Sequence, residues 1–410
     1  MDRAGLARLL GGASTQGAPR IRVTEPDPRK FMAAFARAMG GSGDIFLCDP
    51  NWGSVEKSRV DALLEAKAAN YPSGINQGYL MIPTGGTGGQ VRFARHDAAT
   101  IAAAVRGFTR HFSLPQVNAV GVLPLHHVSG LMAWMRCVLT GGEYLPLDWK
   151  AVEAGARPTL PDKADGLTLS LVPTQLERLL RQDGAAAWLR KFRIIFLGGA
   201  PAWPALLDQA APLDLPLSPG YGLTETAAMV AALRPEEFLA GARSCGTLLP
   251  HVQAGFDEEG SILIGGESVF RGYYPEWRDP GDFATQDAGW LNERGQLHVS
   301  GRRDAVIITG GEKVNPAEVE AVLRGSGELT DVVVLGLPDS EWGQTVVAAF
   351  PAGANPNLAR VETAMARLLS PAKRPKRMIG LPAWPVNAQG KVNRAEVARL
   401  VSLANPFHRS

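Results

Sequence analysis

The chain has 410 residues, of which 45% are hydrophobic and 20% charged, with a formal net charge of +2. This length exceeds one compact core and suits two or three domains. The charge balance gives no reason to expect nucleic acid or an anionic membrane as a partner. Three widely spaced cysteines argue against a disulfide framework or a zinc site. Residues 1–16 contain no signal-peptide core, and no apolar run reaches the roughly 20 residues that span a bilayer, so we expect a cytoplasmic protein.

Helical and strand-like patterns alternate through the first half of the chain. Residues 1–30 are rich in Gly, Pro and Arg and predict a loosely attached arm. The alternation predicts an α/β fold with layered, largely parallel sheets. Polar and glycine-rich motifs follow the carboxyl ends of the strands, where such folds bind ligands. Helices are expected over 31–39, 54–69, 96–112 and 177–181, and strands over 45–47, 79–82, 117–125, 167–172 and 192–197.

The pattern changes twice in the second half of the chain. From about Cys245, short strands and turns predict a small antiparallel β region. After residues 301–304, Asn315 and Pro316 provide a good helix start, and strands and helices complete a compact α+β unit. We therefore predict a large N-terminal domain, residues 1–300, and a small C-terminal domain, residues 301–410.

A glycine-rich loop follows the strand expected at 79–82. Within residues 83–92, four glycines leave backbone N–H groups uncovered, and two threonine hydroxyls and the Arg92 guanidinium add further donors. Such a loop is suited to an anion and is typical of polyphosphate binding. A glycine-rich surface turn has the same composition, and the Gly-Lys-Ser/Thr of a Walker A loop is absent.

Further motifs follow this loop in a fixed order along the chain. Together they resemble the motifs of the acyl-adenylate-forming superfamily of acyl-CoA synthetases, adenylation domains and luciferases. The resemblance spans residues 80–394, and it implies a large α/β domain followed by a small mobile α+β domain. It departs at Gln286, where the family usually has glycine. The motifs are 83–92, 219–225 (Pro-Gly-Tyr-Gly-Leu-Thr-Glu), 285–287 (Thr-Gln-Asp), 301–304 (Gly-Arg-Arg-Asp), 310–314 (Gly-Gly-Glu-Lys-Val) and 389–394 (Gln-Gly-Lys-Val-Asn-Arg).

The resemblance implies that ATP binds to a defined set of residues. The loop holds the phosphates, with Arg92 standing where the family commonly has lysine. Tyr221 offers a flat face to adenine, and Asp287, supported by Arg302, accepts hydrogen bonds from the ribose hydroxyls. The predicted ATP-binding residues are Thr84, Gly85, Gly86, Thr87, Gly88, Gly89, Arg92, Gly199, Ala200, Gly220, Tyr221, Gly222, Asp287 and Arg302.

The resemblance also implies the catalytic groups. When the carboxylate of the acid attacks the α-phosphate of ATP, two anions meet, and cations must offset their charge. Lys391 is expected to bridge the two groups in the transition state. Glu225 is expected to hold Mg²⁺, because this hard ion prefers carboxylate oxygen. The adjacent Thr224 hydroxyl is expected to contact a phosphate oxygen.

Other positions are expected to serve the second half-reaction and the acid pocket. By resemblance, Asp304 is the pivot of the small domain, with the hinge near 302–304, and Gly310 and Gly311 line the CoA channel. His127 matches a position that gates the acyl pocket, whereas we expect His126 to be structural. We find no partners that would make the two histidines a metal site or a catalytic pair.

Within the superfamily, residues 82–87, 92–96 and 170–176 resemble most the o-succinylbenzoate–CoA ligases of menaquinone and phylloquinone biosynthesis. The substrate would be a dianion whose aromatic carboxylate needs a partner. Arg178, with Ser170 or Thr174 nearby, could supply it, although an exposed helical arginine is an equally good interpretation. If Arg178 binds substrate, Arg178→Ala raises KM for o-succinylbenzoate and spares KM for ATP.

The sequence is compatible with three functions. The first is an o-succinylbenzoate–CoA ligase that uses ATP, Mg²⁺ and CoA and releases AMP and pyrophosphate. The second is another aryl- or acyl-CoA ligase, or an adenylating enzyme that delivers to a carrier-protein thiol. The third is a catalytically silent nucleotide-binding paralogue, against which the joint presence of Lys391, Glu225 and Asp287 argues. A homo-oligomer is compatible with all three.

Overall fold

The computed structural model describes residues 20–40, 43–65, 78–85, 91–161, 166–386 and 392–404. Within these segments the strands form four sheets. None of the described helices is long and apolar enough to cross a lipid bilayer. Cys48, Cys137 and Cys245 all lie in described segments and are free thiols.

The first sheet has four strands in the order β1-β2-β3-β4, of which β3 and β4 form an antiparallel hairpin on either side of residues 86–90. The prediction of a loosely attached arm is wrong for residues 20–30. Arg20–Val23 pairs with β2, and Asp27 caps the following helix by accepting from Lys30 N at 2.9 Å. Residues 1–19 lie outside the described residues. The elements are β1 (Arg20–Val23), α1 (Pro28–Met39), β2 (Asp44–Leu47), α2 (Ser54–Glu65), β3 (Leu80–Gly85) and β4 (Val91–His96).

The second sheet has seven strands in the order β11-β10-β9-β8-β7-β5-β6. Strands β5 to β9 are parallel, as the alternating pattern predicted, and β10 and β11 extend one edge in antiparallel fashion. The strands are β5 (Asn118–Gly121), β6 (Tyr144–Pro146), β7 (Leu167–Leu171), β8 (Ile194–Leu197), β9 (Leu217–Leu223), β10 (Ala228–Ala232) and β11 (Thr247–Leu248). The helices are α3 (Ala98–His111), α4 (Val128–Thr140), α5 (Trp149–Glu153), α6 (Pro173–Leu180), α7 (Ala185–Leu189), α8 (Pro204–Ala210) and α9 (Pro235–Leu239).

Both faces of this second sheet are buried, and β8 shows why. Ile195 and Leu197 pack with α6, α7 and α8, whereas Ile194 and Phe196 pack on the opposite face with residues of α3 and of the third sheet. A strand buried on both faces is a continuous apolar run, which is the pattern of this segment. The third sheet is the expected antiparallel β region: β12 (Val252–Phe256), β13 (Ser261–Gly266), β14 (Phe283–Leu291) and β15 (Leu297–Arg302).

The C-terminal residues form a small α+β domain with apolar clusters of its own. Its sheet has the order β17-β16-β19-β18, with β20 parallel to β19. Asn315 caps the first helix by accepting from Ala317 N at 3.0 Å, as predicted. The boundary at 301–304 stays a prediction, and it lies where the third sheet ends and the fourth begins. The elements are β16 (Ile307–Thr309), β17 (Glu312–Val314), α10 (Pro316–Gly325), β18 (Val333–Asp339), β19 (Gly343–Pro351), α11 (Leu358–Leu368), β20 (Arg377–Leu381) and α12 (Arg394–Leu403).

Candidate active site

The β9–β10 hairpin carries the motif at 219–225. Two glycines of β9 allow its strands to approach closely: a Cβ on Gly220 would lie 2.9 Å from Ala231 O, and one on Gly222 only 2.1 Å from Ala228 O. Side chains at these positions would force the strands apart. The glycines therefore position Tyr221 on β9 and the short turn Thr224–Thr226 that follows it.

Three of the predicted nucleotide residues meet beside this hairpin. The Tyr221 hydroxyl donates to Asp287 Oδ2 at 2.7 Å. Asp287 and Arg302 are register partners on β14 and β15, and Asp287 Oδ1 lies 4.0 Å from Arg302 Nε. Burial and the Asp287 charge raise the pKa of Tyr221, so its hydroxyl stays a donor at neutral pH. A carboxylate held in this way can accept hydrogen bonds from a ribose.

Gln286 departs from the family pattern without disturbing this arrangement. Residues 283–291 form one strand, in which Thr285 and Asp287 are buried and Gln286 is exposed. Thr285 Oγ1 also accepts from Asp287 N at 3.1 Å. Because neighbouring side chains of a strand point to opposite faces, the larger side chain at 286 leaves the carboxylate in place.

A second cluster connects β4, the strand after the glycine-rich loop, to Glu225. The Arg92 guanidinium lies 4.2 Å from the centre of the Tyr273 ring, and the Tyr273 hydroxyl donates to Glu225 Oε1 at 2.5 Å. Burial and the Glu225 charge raise the pKa of Tyr273 and keep this proton on the tyrosine. Tyr273 was not among the predicted site residues, although an aromatic pair before a proline, Tyr273-Tyr274, was a visible signal.

His96 fixes the turn that carries Thr224 and Glu225. Its Nε2 lies 2.8 Å from Thr224 O and its Nδ1 lies 3.1 Å from Thr100 Oγ1. Because a carbonyl only accepts, Nε2 carries the proton. Burial lowers the pKa of His96 to about 4, against the opposing effect of the Thr224 hydrogen bond. The ring is therefore neutral at pH 7 and links α3 to the turn.

We expect the protein to lose stability in acid through His96. The folded state resists protonation down to a pKa of about 4, whereas the unfolded state takes up the proton near 6.5. Stability is thus complete above pH 6.5 and falls as the pH drops toward 4, by about 2 kcal/mol for this residue between pH 7 and pH 5. Urea denaturation at both pH values measures the loss. His96→Gln should lessen the difference, and an unchanged difference in this variant would contradict the assignment.

Several predicted residues lie outside this assembly or outside the described residues. The predicted site residues outside the described part of the chain are Gly86, Thr87, Gly88, Gly89 and Lys391. Thr84 and Gly85 end β3, with Thr84 opposite Arg92. Gly199, which has a φ of +79°, and Ala200 follow β8. Ser170 on β7 and Thr174 on α6 are half-buried.

Arg178 is already paired with acidic residues. Its Nη1 donates to Glu153 Oε1 at 2.7 Å, and its Nη2 lies 3.5 Å from Asp331 Oδ2 of the C-terminal domain. Two carboxylates thus neutralise the charge that we expected to meet the substrate. Its role in substrate binding stays a prediction that these contacts do not support.

Arg136 on α4 is a buried arginine that no sequence motif indicated. Its side chain lies over the Phe108 ring, with Cζ at 3.9 Å from the ring centre and 6.0 Å from that of Phe196. Among the described residues, no carboxylate pairs with it, and its Nε has no hydrogen-bond partner. Burial lowers the pKa of Arg136 to about 10, so the group is still charged at pH 7. A buried charge without a counterion is costly unless a ligand supplies one.

The expectation that the histidine pair lacks a partner is wrong. Asp49, at the end of β2, places Oδ2 at 3.4 Å from His126 Nε2 and 3.9 Å from His127 Nε2. Burial alone would raise the pKa of Asp49, but the facing His126, the hydrogen bond from Asn51 N and the charge of His127 lower it to about 2. This contact could not be predicted from sequence, because residue 49 is far along the chain from residues 126–127.

The predicted hinge and CoA positions have well-defined local geometry. Arg302 donates to both carboxylate oxygens of Asp304, at 2.8 and 2.6 Å. Gly310 and Gly311, with φ of +56° and +83°, form the two-residue turn between β16 and β17. Both angles are those of a type I′ hairpin turn, which favours glycine. The roles of these residues in domain rotation and CoA passage stay predictions.

The described residues before and after residues 387–391 contact each other and the body of the C-terminal domain. Val386 and Val392 form an antiparallel bridge, and Asn393 N donates to Pro385 O at 2.8 Å. Arg394 then donates to Glu320 Oε1 at 2.6 Å and to Val334 O at 2.9 Å. Glu320 is buried and also accepts from Val334 N at 2.8 Å. Glu320 therefore ties the start of α12 to α10 and β18.

Glu320→Gln is expected to destabilise the C-terminal domain by about 2 kcal/mol, because it removes charge-assisted hydrogen bonds from a buried site. Chemical denaturation followed by tryptophan fluorescence measures this loss. Glu396→Gln is the matched control, since Glu396 pairs with Arg399 at the surface, where an ion pair contributes little. Equal losses in the two variants would mean that the Glu320 network is not an anchor.

The sequence and the fold match known proteins over most of the chain. The 2-succinylbenzoate–CoA ligase of Geobacillus kaustophilus is 34% identical over 303 residues, which cover 69% of this chain and 61% of the relative. The chain thus spans less than two thirds of that relative's length. The solved structure of Bacillus subtilis o-succinylbenzoate CoA synthetase with its acyl-adenylate intermediate has a TM-score of 0.76 at 21% identity, over 96% of this chain and 91% of that one. The same enzyme with ATP and magnesium ion has a TM-score of 0.76 at 20% identity, over 96% and 93%. At this identity the two structures show a common fold.

Family models give the most direct assignment. Residues 45–274 match the model described as AMP-binding enzyme, and residues 318–391 match the model of the AMP-binding enzyme C-terminal domain. The first match alone covers more than half of the chain. The chain therefore belongs to the AMP-binding enzyme family, the acyl-adenylate-forming superfamily that its motifs predicted.

Proposed function

We propose that the chain is an ATP-dependent acid–CoA ligase that adenylates o-succinylbenzoate and transfers the acyl group to CoA. The observation that carries the adenylation chemistry is the pairing of Tyr221 with Asp287 beside the pairing of Glu225 with Tyr273. The Tyr221–Asp287 pair suits the binding of a ribose, and the Tyr273–Glu225 pair suits the binding of a polyphosphate with its metal ion. The names of the relative and of the fold neighbours support the choice of acid. The product would enter menaquinone or phylloquinone biosynthesis, and a cytoplasmic location would give access to ATP and CoA.

The donor set around Glu225 fits a magnesium nucleotide. Glu225 is a buried carboxylate with a hydroxyl donor, Tyr273, on one oxygen, and the Thr224 hydroxyl is adjacent in sequence. Mg²⁺ prefers such oxygen ligands and keeps part of its hydration shell. When bound, the ion would neutralise charge on the phosphates. Arg92, held over the Tyr273 ring, adds a fixed positive charge on the same side.

The reaction consists of two displacements. In the first, a carboxylate oxygen of the acid attacks the α-phosphorus of ATP, a P–O bond breaks, and pyrophosphate leaves. In the second, the CoA thiolate attacks the acyl carbonyl carbon and AMP leaves with the C–O bond pair, so a thioester forms. Lys391 offsets the negative charge of the first step, and Asp287 holds the ribose in both steps.

We assign the second carboxylate of the substrate to Arg136 rather than to Arg178. Arg178 has two carboxylate partners, whereas Arg136 is buried with none among the described residues. Arg136 lies on the helix that begins directly after His127, and it faces Phe196 of the strand that precedes Gly199. A buried guanidinium binds a carboxylate strongly once water is excluded.

Pyrophosphate release tests the proposal. The protein is incubated with ATP and Mg²⁺ and one acid, with or without CoA, and o-succinylbenzoate is compared with benzoate and a medium-chain fatty acid. Turnover with o-succinylbenzoate that requires CoA is the expected result. Turnover only with another acid would keep adenylation and reject the substrate. ATP binding without pyrophosphate release from any acid would reject the enzyme and favour the silent paralogue.

A further inference from the structure

Asp49, His126 and His127 form a cluster of metal-binding side chains apart from Glu225. Their ligand atoms all lie within 4.8 Å of one another. Asp49 follows β2, and the two histidines precede α4, so the cluster joins the first sheet to a helix that packs beside the second. The side chains of Asp49 and His126 are only 9% and 5% exposed, and that of His127 is 20% exposed.

The distances suit ligands around one ion better than hydrogen bonds. A charge-assisted N–H···O bond between imidazole and carboxylate has a length of about 2.7–2.9 Å. Asp49 Oδ2 lies 3.4 and 3.9 Å from the two Nε2 atoms. Ligands at about 2.0–2.1 Å from a tetrahedral Zn²⁺ are roughly 3.3 Å apart. The His126 Nε2 is buried and has no hydrogen-bond partner among the described residues.

The carboxylate is oriented toward the histidines by a separate contact. Asp49 Oδ1 accepts from Asn51 N at 2.8 Å, which leaves Oδ2 facing the two imidazoles. Ligating carboxylates in metal sites are held by hydrogen bonds in this way. The neighbouring thiol does not complete the set, because Cys48 Sγ contacts Phe46 O at 3.8 Å.

We propose that Asp49, His126 and His127 bind one divalent cation of the zinc class and leave at least one coordination position open. Two imidazoles and a carboxylate select such ions over Mg²⁺, which prefers oxygen ligands alone. The bound ion cross-links the end of β2 to the start of α4.

Cobalt and zinc binding to the metal-free protein test this site. Protein without a histidine tag, treated with EDTA and kept free of ATP and acid, is titrated with Co²⁺ and separately with Zn²⁺. We expect one equivalent of Co²⁺ with visible d–d absorption and no thiolate charge-transfer band. We also expect a higher Tm with Zn²⁺, because an ion that binds only the folded state stabilises it.

Asp49→Asn and His126→Gln should each weaken Co²⁺ binding by about tenfold or more and remove the Zn²⁺-dependent rise in Tm. His298→Gln is the matched control, because His298 stacks on Trp290, outside the cluster, and its loss should leave binding unchanged. Circular dichroism verifies that each variant is folded. Absence of binding up to roughly millimolar Co²⁺, unchanged binding in both cluster variants, or a thiolate band would overturn the proposal. Because no substrate is present, these outcomes are independent of the ligase assay.

Discussion

Arg136→Met is expected to raise KM for o-succinylbenzoate strongly and, at the same time, to stabilise the ligand-free protein. Loss of one partner of a buried charge pair costs about 2–5 kcal/mol, which corresponds to roughly a 30-fold to several-thousand-fold higher KM. KM for ATP should change little. Without ligand, the same substitution removes a desolvated charge that has no carboxylate partner among the described residues. The free energy of unfolding should therefore rise by about 1–3 kcal/mol.

Steady-state kinetics and denaturation of three variants separate the roles of the two arginines. Arg136→Lys keeps the charge but loses the planar guanidinium that binds a carboxylate through two N–H groups. Its KM for o-succinylbenzoate should therefore lie between those of wild type and Arg136→Met. Arg178→Met is the control: it breaks the pairs with Glu153 and Asp331 and should lower stability with little change in KM. A high KM in Arg178→Met and a normal one in Arg136→Met would restore the assignment made from sequence.

Lys391→Ala is expected to slow adenylation by about 10²–10³-fold and to spare thioester formation. The first half-reaction brings two anions together, and removal of a cation aimed at that charge has an effect of this size. The second half-reaction, started from preformed acyl-adenylate and CoA, contains no such encounter. Pyrophosphate exchange measures the first step, and thioester formation measures the second.

The contacts on either side of residue 391 allow an effect on catalysis to be distinguished from an effect on structure. The bridge between Val386 and Val392 and the contact between Arg394 and Glu320 do not involve the lysine side chain, so the substitution should leave them intact. Lys191→Ala, at an exposed position, controls for loss of charge alone. An equal loss in both half-reactions would mean that Lys391 acts on the structure of the segment and not on the transition state.

Local patterns predicted most of the helices and strands, whereas the roles of the nucleotide residues stay predictions. The apolar run at 192–197 predicted a strand, which the structure has at Ile194–Leu197, and Asn315 with Pro316 predicted a helix start. Both features depend on neighbours in sequence. The order of the motifs predicted the family, which the matches to its models confirmed.

Contacts between distant segments could not be predicted in this way. Tyr273 reaches Glu225 across 48 positions, and Asp49 reaches the histidines across 77 or more. The pairing of Arg178 and the isolation of Arg136 both depend on which carboxylates the fold brings near them. A single sequence shows that an arginine is present, but it does not show how many counterions surround it.

The sequence by itself thus determined the alternating α/β architecture, the small C-terminal unit and the family, because periodicity, helix capping and short motifs each depend on a few neighbouring residues. Only the tertiary structure decided which of two arginines carries an uncompensated charge, which tyrosine holds Glu225, and that Asp49 completes a cluster with His126 and His127. Burial and Coulomb interactions depend on distance in space, and folding sets that distance independently of separation along the chain.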